Sequence, residues 1–154
     1  MTDRTTTLLA PSADASELQD RLVSFIRAFG LHQPETTPCG QPIPVSEAHA
    51  LSEVARHTPL GQLELCRRLR LEKSTVSRLV GQLVGRGWVE RRIDPGDARA
   101  ILLVLTPAGG AAAATLAAAR RVKFEQLLGA IPDHSRVEVL RSLDVRTEAL
   151  HAQP

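Results

Sequence analysis

Residues 60–87 read LGQLELCRRLRLEKSTVSRLVGQLVGRG, and residues 88–106 continue WVERRIDPGDARAILLVLT. The first stretch holds two helical patterns separated by a short polar break. The second holds two strand-like runs joined at Asp94-Pro95-Gly96-Asp97. Together they predict a helix-turn-helix followed by a β-hairpin. In the second helix, about 73–86, Val76, Leu79, Val80, Leu83 and Val84 recur at three- and four-residue steps and define one apolar stripe. The opposite face carries Ser74, Thr75, Ser77, Arg78, Gln82 and Arg86, which is polar without being acidic. Gly87 ends this helix as a left-handed stop. The shorter helix before it, about 62–69, is expected to bury Leu63, Leu65, Cys66 and Leu69. Strands are expected at about 88–92 and 99–105.

Charge is concentrated in the same stretch. From Arg56 to Arg99 there are ten basic and five acidic residues, a net +5, while the rest of the chain is −3, giving +2 overall. A positive field confined to one structural unit is the electrostatic footprint of nucleic-acid binding.

The 154 residues are 43% hydrophobic and 23% charged, a globular composition. Aromatics are limited to Phe25, Phe29, Trp88 and Phe124, so the core must come from Leu, Val, Ile and Ala. No apolar run approaches the ~20 residues that span a bilayer. The opening MTDRTTTLLAPSADAS lacks a signal-type apolar core, so a cytoplasmic protein without a membrane partner is expected. Cys39 and Cys66 form neither a disulfide framework nor a CxxC pair. There is no Ser-His-Asp order, phosphate loop or HExxH, so neither an enzyme nor a bound cofactor is expected.

Around this unit the chain divides into four parts. Residues 1–13 read as a Thr-rich flexible leader. Residues 14–44 hold a helix over about 17–31, capped by Ser16, and a Pro-rich loop from His32 to Pro44. Residues 45–106 form the winged unit, opening with a helix capped by Ser46 that buries Ala48, Leu51, Val54 and Ala55. Residues 107–154 supply a long helix of about 107–130 from the cap-and-proline start Thr106-Pro107, a break at Pro132-Asp133, and a last helix of about 133–151. The tract AGGAAAATLAAARR is either a plain helix former or a surface for close helix approach, and the second is favoured. The fold class is mainly α with a small β-hairpin wing, an α/β winged helix flanked by helices from both termini.

From about Val45 to Gly109 the sequence resembles the MarR family of winged helix-turn-helix transcriptional regulators. The stretches that carry the resemblance are LELCRRLRLEKSTVSRLV and GRGWVERRIDPGDARAILLVLTPAG, including the DPxDxR wing followed by a strand and Leu-Thr-Pro. The resemblance implies a sequence-specific regulator of double-stranded DNA, a ligand- or stress-responsive repressor. It implies a homodimer held by its terminal helices on a pseudo-palindromic operator, and a small-molecule effector cleft between the dimerisation and DNA-binding parts. Matched position by position, the helix from Lys73 is the recognition helix. Arg99 matches the arginine that enters the minor groove, and Asp97 the acid that steadies it. Ala98 stands where many relatives carry a second arginine, Gly61 replaces a common Thr cap, and Cys66 a small residue.

Each candidate contact has two readings. Arg78 either pairs with a guanine edge or clamps a phosphate. Ser74 and Thr75 suit phosphates at a helix start, Lys73 is expected on the backbone, and Ser77 and Gln82 complete the face. Asp97 and Arg99 form either a pre-oriented pair for an A·T-rich minor groove or an exposed salt bridge of little energy. Arg91 and Arg92 alternate faces, so one of them meets DNA, and Arg92 is the candidate. Arg67, Arg68 and Arg70 lie along phosphates or on a solvated face. Phe25, Phe29, Phe124, Leu127 and Leu128 are expected between subunits.

The weakest signal is a cluster of potential sensor residues. His32, Cys39 and His49, with Glu53 and His57 nearby, are weak metal candidates, although their spacing matches no standard site. Cys39 alone, on an exposed loop, would be an oxidant sensor; otherwise these residues are surface groups or part of an organic-ligand cleft. The rival readings are a winged-helix module that binds protein instead of DNA, or a metal- or redox-sensing form of the same regulator. Strongly salt-dependent affinity for duplex DNA separates the first from the leading reading.

Overall fold

The structure, a computed structural model, describes residues 12–152. Most of the expected leader therefore lies outside the described residues. Its last positions belong to helix α1 (Ala13–Phe29), which starts earlier than Ser16 would place it. Ser12 is the cap: its Oγ accepts the Ala15 N–H at 3.2 Å, and Asp14 adds a favourable charge to the first turn. Gly30, at φ 88°, closes the helix with bonds to Ile26 and Arg27.

The chain continues through α2 (Val45–His57), β1 (Leu60–Gly61), α3 (Gln62–Leu69), α4 (Lys73–Gly85), β2 (Val89–Asp94), β3 (Asp97–Leu105) and α5 (Pro107–Ala130). A 3-10 turn (Asp133–Ser135) then leads to α6 (Arg136–His151). Pro44, not Ser46, occupies the cap position of α2, and no side chain caps it. The expected last helix from 133 is this short turn followed by α6.

Strand β1 has no counterpart in the sequence reading. It pairs antiparallel with β3, Leu60 opposite Leu103, so the hairpin becomes a three-stranded sheet of order β1-β3-β2. Two residues are too few to display a period-two pattern.

The main core joins α2, α3, α4 and the sheet through Leu51, Val54, Leu65, Val76, Leu79, Val80, Leu83, Val89 and Leu103. Leu63 and Val84, both expected inside, are 52% and 37% exposed. Each lies roughly 90–110° around its helix from the centre of the buried face, so it reaches only the rim. At the end of α4, Gly87 (φ 73°) and Trp88 donate to Val84 and Leu83, the paired bonds of a Schellman stop.

The cap of α5 is tied to that stop. Thr106 Oγ1 accepts the Gly109 N–H at 2.9 Å and donates to Gly87 O at 2.7 Å. Gly109 is required by close approach, since a Cβ there would lie 1.9 Å from Trp88 O. Ala112 and Ala113 pack on the main core, so one face of the alanine tract is used within the chain.

By contrast, α1 and α6 contain no buried residue. Phe29 stacks on Phe25 with centroids 5.6 Å apart and leans on Phe124 of α5 at 5.7 Å. Val137, Leu140 and Leu143 of α6 are all exposed. No helix among the described residues is long and apolar enough to cross a membrane.

Candidate nucleic-acid interface

Helix α4 turns its apolar stripe into the core and leaves Lys73, Ser74, Ser77, Arg78 and Gln82 exposed, with Thr75 half-buried. No side chain caps its N-terminus, so the free N–H groups of the first turn remain available to an anion. The polar face read from the sequence is thus a single surface.

The ion pairs sort the cations of this unit. Arg56 and Arg67 pair with Glu53 and Glu64 at 3.5 and 3.3 Å. Arg68 reaches Glu64 at 3.0 Å and Glu53 at 3.5 Å, and also bonds His57. Arg86 pairs with Glu47, and Arg92 with Glu90, both at 2.9 Å. The other five, Arg70, Lys73, Arg78, Arg91 and Arg99, have no carboxylate within 4.0 Å among the described residues. Excess charge therefore collects on the start of α4 and the hairpin. Arg67 and Arg68, read as lying along phosphates or on a solvated face, pair with glutamates on α2 and α3.

The hairpin register assigns its faces. Val89, Arg91 and Ile93 stand opposite Leu105, Leu103 and Ile101, on the side that packs against α4. Glu90 and Arg92 share the other side. Arg91 Nη2 donates to Ser77 O of α4 at 3.1 Å, whereas Arg92 turns away to Glu90. Of the two arginines it is Arg91, not Arg92, that adjoins the recognition face. Counting by twos from the buried Val89 was the signal that distinguishes them.

At the tip, Asp94 Oδ1 accepts the Gly96 N–H at 2.8 Å and Asp97 Oδ1 accepts the Arg99 N–H at 3.0 Å. Asp97 therefore steadies the backbone of Arg99; the expected pair with its guanidinium is not formed. Among the described residues the guanidinium has no hydrogen-bond or carboxylate partner, which leaves its donors for another group.

One further feature escaped the sequence, and a second has its counterpart in the expected effector cleft. Glu47, in the first turn of α2, is only 3% exposed, and its carboxylate is met by Arg86, whose guanidinium lies 5.1 Å from the centroid of Trp88. Arg86 thus belongs to a buried ion pair and not to the open face of α4. The second is a cavity of about 100 Å³ between α1, the Pro-rich loop, α2 and α5, lined among others by Phe29, Cys39, His49, Arg120 and Phe124. Arg120 is held by Ser52 Oγ at 2.8 Å. Burial lowers the His49 pKa, Arg120 lowers it further, and Glu53 partly opposes them.

The weak metal set does not assemble. Cys39 and His49 line this cavity, but the exposed His32 does not. Among the described residues no three of His, Cys, Asp and Glu converge on a metal position. Cys39 is half-buried, not exposed, and its Sγ lies 3.0 Å from Thr37 Oγ1.

Comparisons with known proteins point the same way. Residues 41–100 match the MarR family. The HTH-type transcriptional repressor NicR of Pseudomonas putida is 30% identical over 84 residues, 54% of this chain and 53% of that protein. The chain thus spans about half the length of this curated relative. A probable transcriptional regulator from Pseudomonas aeruginosa superposes with TM-score 0.70 at 26% identity, over 88% of this chain and 99% of that one. Streptococcus pneumoniae FabT, solved in complex with DNA, gives TM-score 0.77 at 17% identity, over 88% and 96% of the two chains.

Proposed function

We propose, from the match of residues 41–100 to the MarR family, that the chain is a winged-helix member of that family: a homodimeric, cytoplasmic transcriptional regulator that binds double-stranded DNA and acts as a repressor. One observation carries the reading: the five cations without carboxylate partners lie at the α3–α4 turn, on α4 and on the hairpin. In this reading α4 enters the major groove, where Arg78, Ser77 and Gln82 face base edges, and Lys73, Ser74 and Thr75 meet phosphates. Arg99 enters the adjacent minor groove from the wing tip. FabT captured with DNA and NicR named as a repressor support the same assignment. Such a role requires no catalytic centre.

The dimer follows from α1 and α6. Helices of 17 and 16 residues without a buried side chain gain little from propensity alone, and their exposed apolar faces call for a cover. A second copy supplies it and imposes a two-fold axis, hence half-sites about one helical turn apart. The cavity holding His49 and Arg120 between the terminal helices and the winged unit is the place for an anionic effector.

Sedimentation at micromolar concentration is expected to give a dimer. Affinity for a duplex from beside the protein's own gene should fall steeply with salt, because each neutralised phosphate releases a counterion. A chain that binds no duplex even at low salt would instead favour the protein-interaction module. Arg99→Ala should weaken specific and unrelated duplexes alike and reduce preference for A·T-rich flanks. Unchanged affinity at matched salt would reduce Arg99 to a surface charge.

A further inference from the structure

We propose that Arg91 is a further DNA-contacting residue, holding the phosphate strand that passes between the groove entered by α4 and the groove reached by the wing. The proposal rests on the reading of α4 and the hairpin as the DNA-contacting elements, and it adds a contact at their junction.

Arg91 stands on the hairpin side that faces α4, two residues from Val89 in the core and two from the exposed Ile93. Its Nη2 donates to Ser77 O at 3.1 Å. Gly81, one turn further along α4, has no side chain, and a Cβ there would lie 4.0 Å from the same nitrogen. The guanidinium therefore rests on the rim of α4 beside Ser77, itself part of the polar face. One N–H is committed to the helix carbonyl. A guanidinium has five, so the remaining donors are free for another acceptor. No carboxylate lies within 4.0 Å among the described residues, so the charge is uncompensated.

Duplex geometry supplies the acceptor. The major and minor grooves are separated by one sugar–phosphate strand, and a protein with a helix in one and a hairpin in the next must straddle it. Arg91 is the cation located between those two elements. Arginine suits the task because its planar fork matches phosphate oxygens, and the bond to Ser77 O has already removed part of its rotamer freedom. Arg92, turned to the far side of the hairpin and paired with Glu90, has neither the position nor the free charge.

The test uses the intact dimer and two duplexes, one of random sequence and one from beside its own gene, titrated from about 50 to 200 mM salt. Arg91→Ala is expected to weaken both by a similar factor, on the order of tenfold, and to reduce the salt slope by about one. Arg92→Ala should change neither quantity. Arg91→Lys separates the two possible roles, since it keeps the positive charge but lacks the planar fork that bonds Ser77 O and lies over Gly81. Recovery of the salt slope with Lys supports the phosphate contact. A slope that stays at the Arg91→Ala value with Lys would make Arg91 only a brace for α4 and overturn the proposal, as would loss of slope in Arg92→Ala instead. A parent protein that binds neither duplex would remove the regulator reading itself, and this contact with it.

Discussion

Replacing Arg86 by alanine is expected to cost about 3 kcal/mol of stability, although the residue lies at the end of an exposed helix face. The reason is its partner. Glu47 is 3% exposed, and removing the guanidinium leaves a nearly buried carboxylate without its counter-charge. Breaking a buried pair from one side costs about 3–5 kcal/mol. The lower end applies because the Arg86 side chain keeps 37% of its own surface in solvent, which lets some water reach the orphaned acid. Contact with the Trp88 ring adds a smaller loss. For a chain of this size the unfolding midpoint should fall by roughly 6–12 °C.

Arg92→Ala is the control. Its pair with Glu90 has the same 2.9 Å separation, but the two side chains are 62% and 55% exposed, so the cost should be about 0–1 kcal/mol. Burial, not distance, decides which ion pair matters. Replacing both Glu47 and Arg86 by methionine should recover most of the loss, because no charge is then stranded. Equal midpoints for Arg86→Ala and Arg92→Ala in thermal unfolding would show that the Glu47 site is wet and the pair dispensable.

That ion pair also marks where sequence reading stops. Helix α4, the hairpin and the start of α5 were legible because each repeats its period over enough residues: Val76-Leu79-Val80-Leu83 for a helix, Val89 to Ile93 for a strand, Thr106-Pro107 for a cap. These are local signals, and the polar face of α4 followed from them. Glu47 was not legible. It resembles any acid in a first helical turn, and its partner lies 39 residues away. β1 was missed because Leu60-Gly61 is defined by its neighbour Leu103 and not by its own composition. The exchange between Asp97 and the Arg99 backbone concerns which atom of a residue is bonded, a matter of turn geometry that residue types do not fix. Arg91 was within reach, since strand alternation places it with Val89.

At the reading face itself, Arg78→Ala is expected to reduce affinity by about 1–3 kcal/mol per half-site, or roughly five- to 150-fold, and to relax preference at one base position in each. Folding should be little changed. Arg78 is exposed, lies off the Val76-Leu79-Val80-Leu83 stripe, and has no carboxylate partner among the described residues that its removal would strand. A two-fold dimer doubles the effect per operator, since each half-site loses the same contact. Lys73→Ala is the natural comparison. A lysine at the first position of α4, beside the uncapped N–H groups, suits a phosphate, so its loss should lower affinity evenly across sequences. Selecting preferred sites from random duplexes with both variants separates base reading from backbone contact. If Arg78→Ala keeps the parent's base preferences and is merely weaker everywhere, Arg78 is a phosphate clamp. Discrimination would then rest on the shorter side chains of the same face, Ser74, Ser77 and Gln82, which reach fewer base edges and offer no bidentate match to guanine.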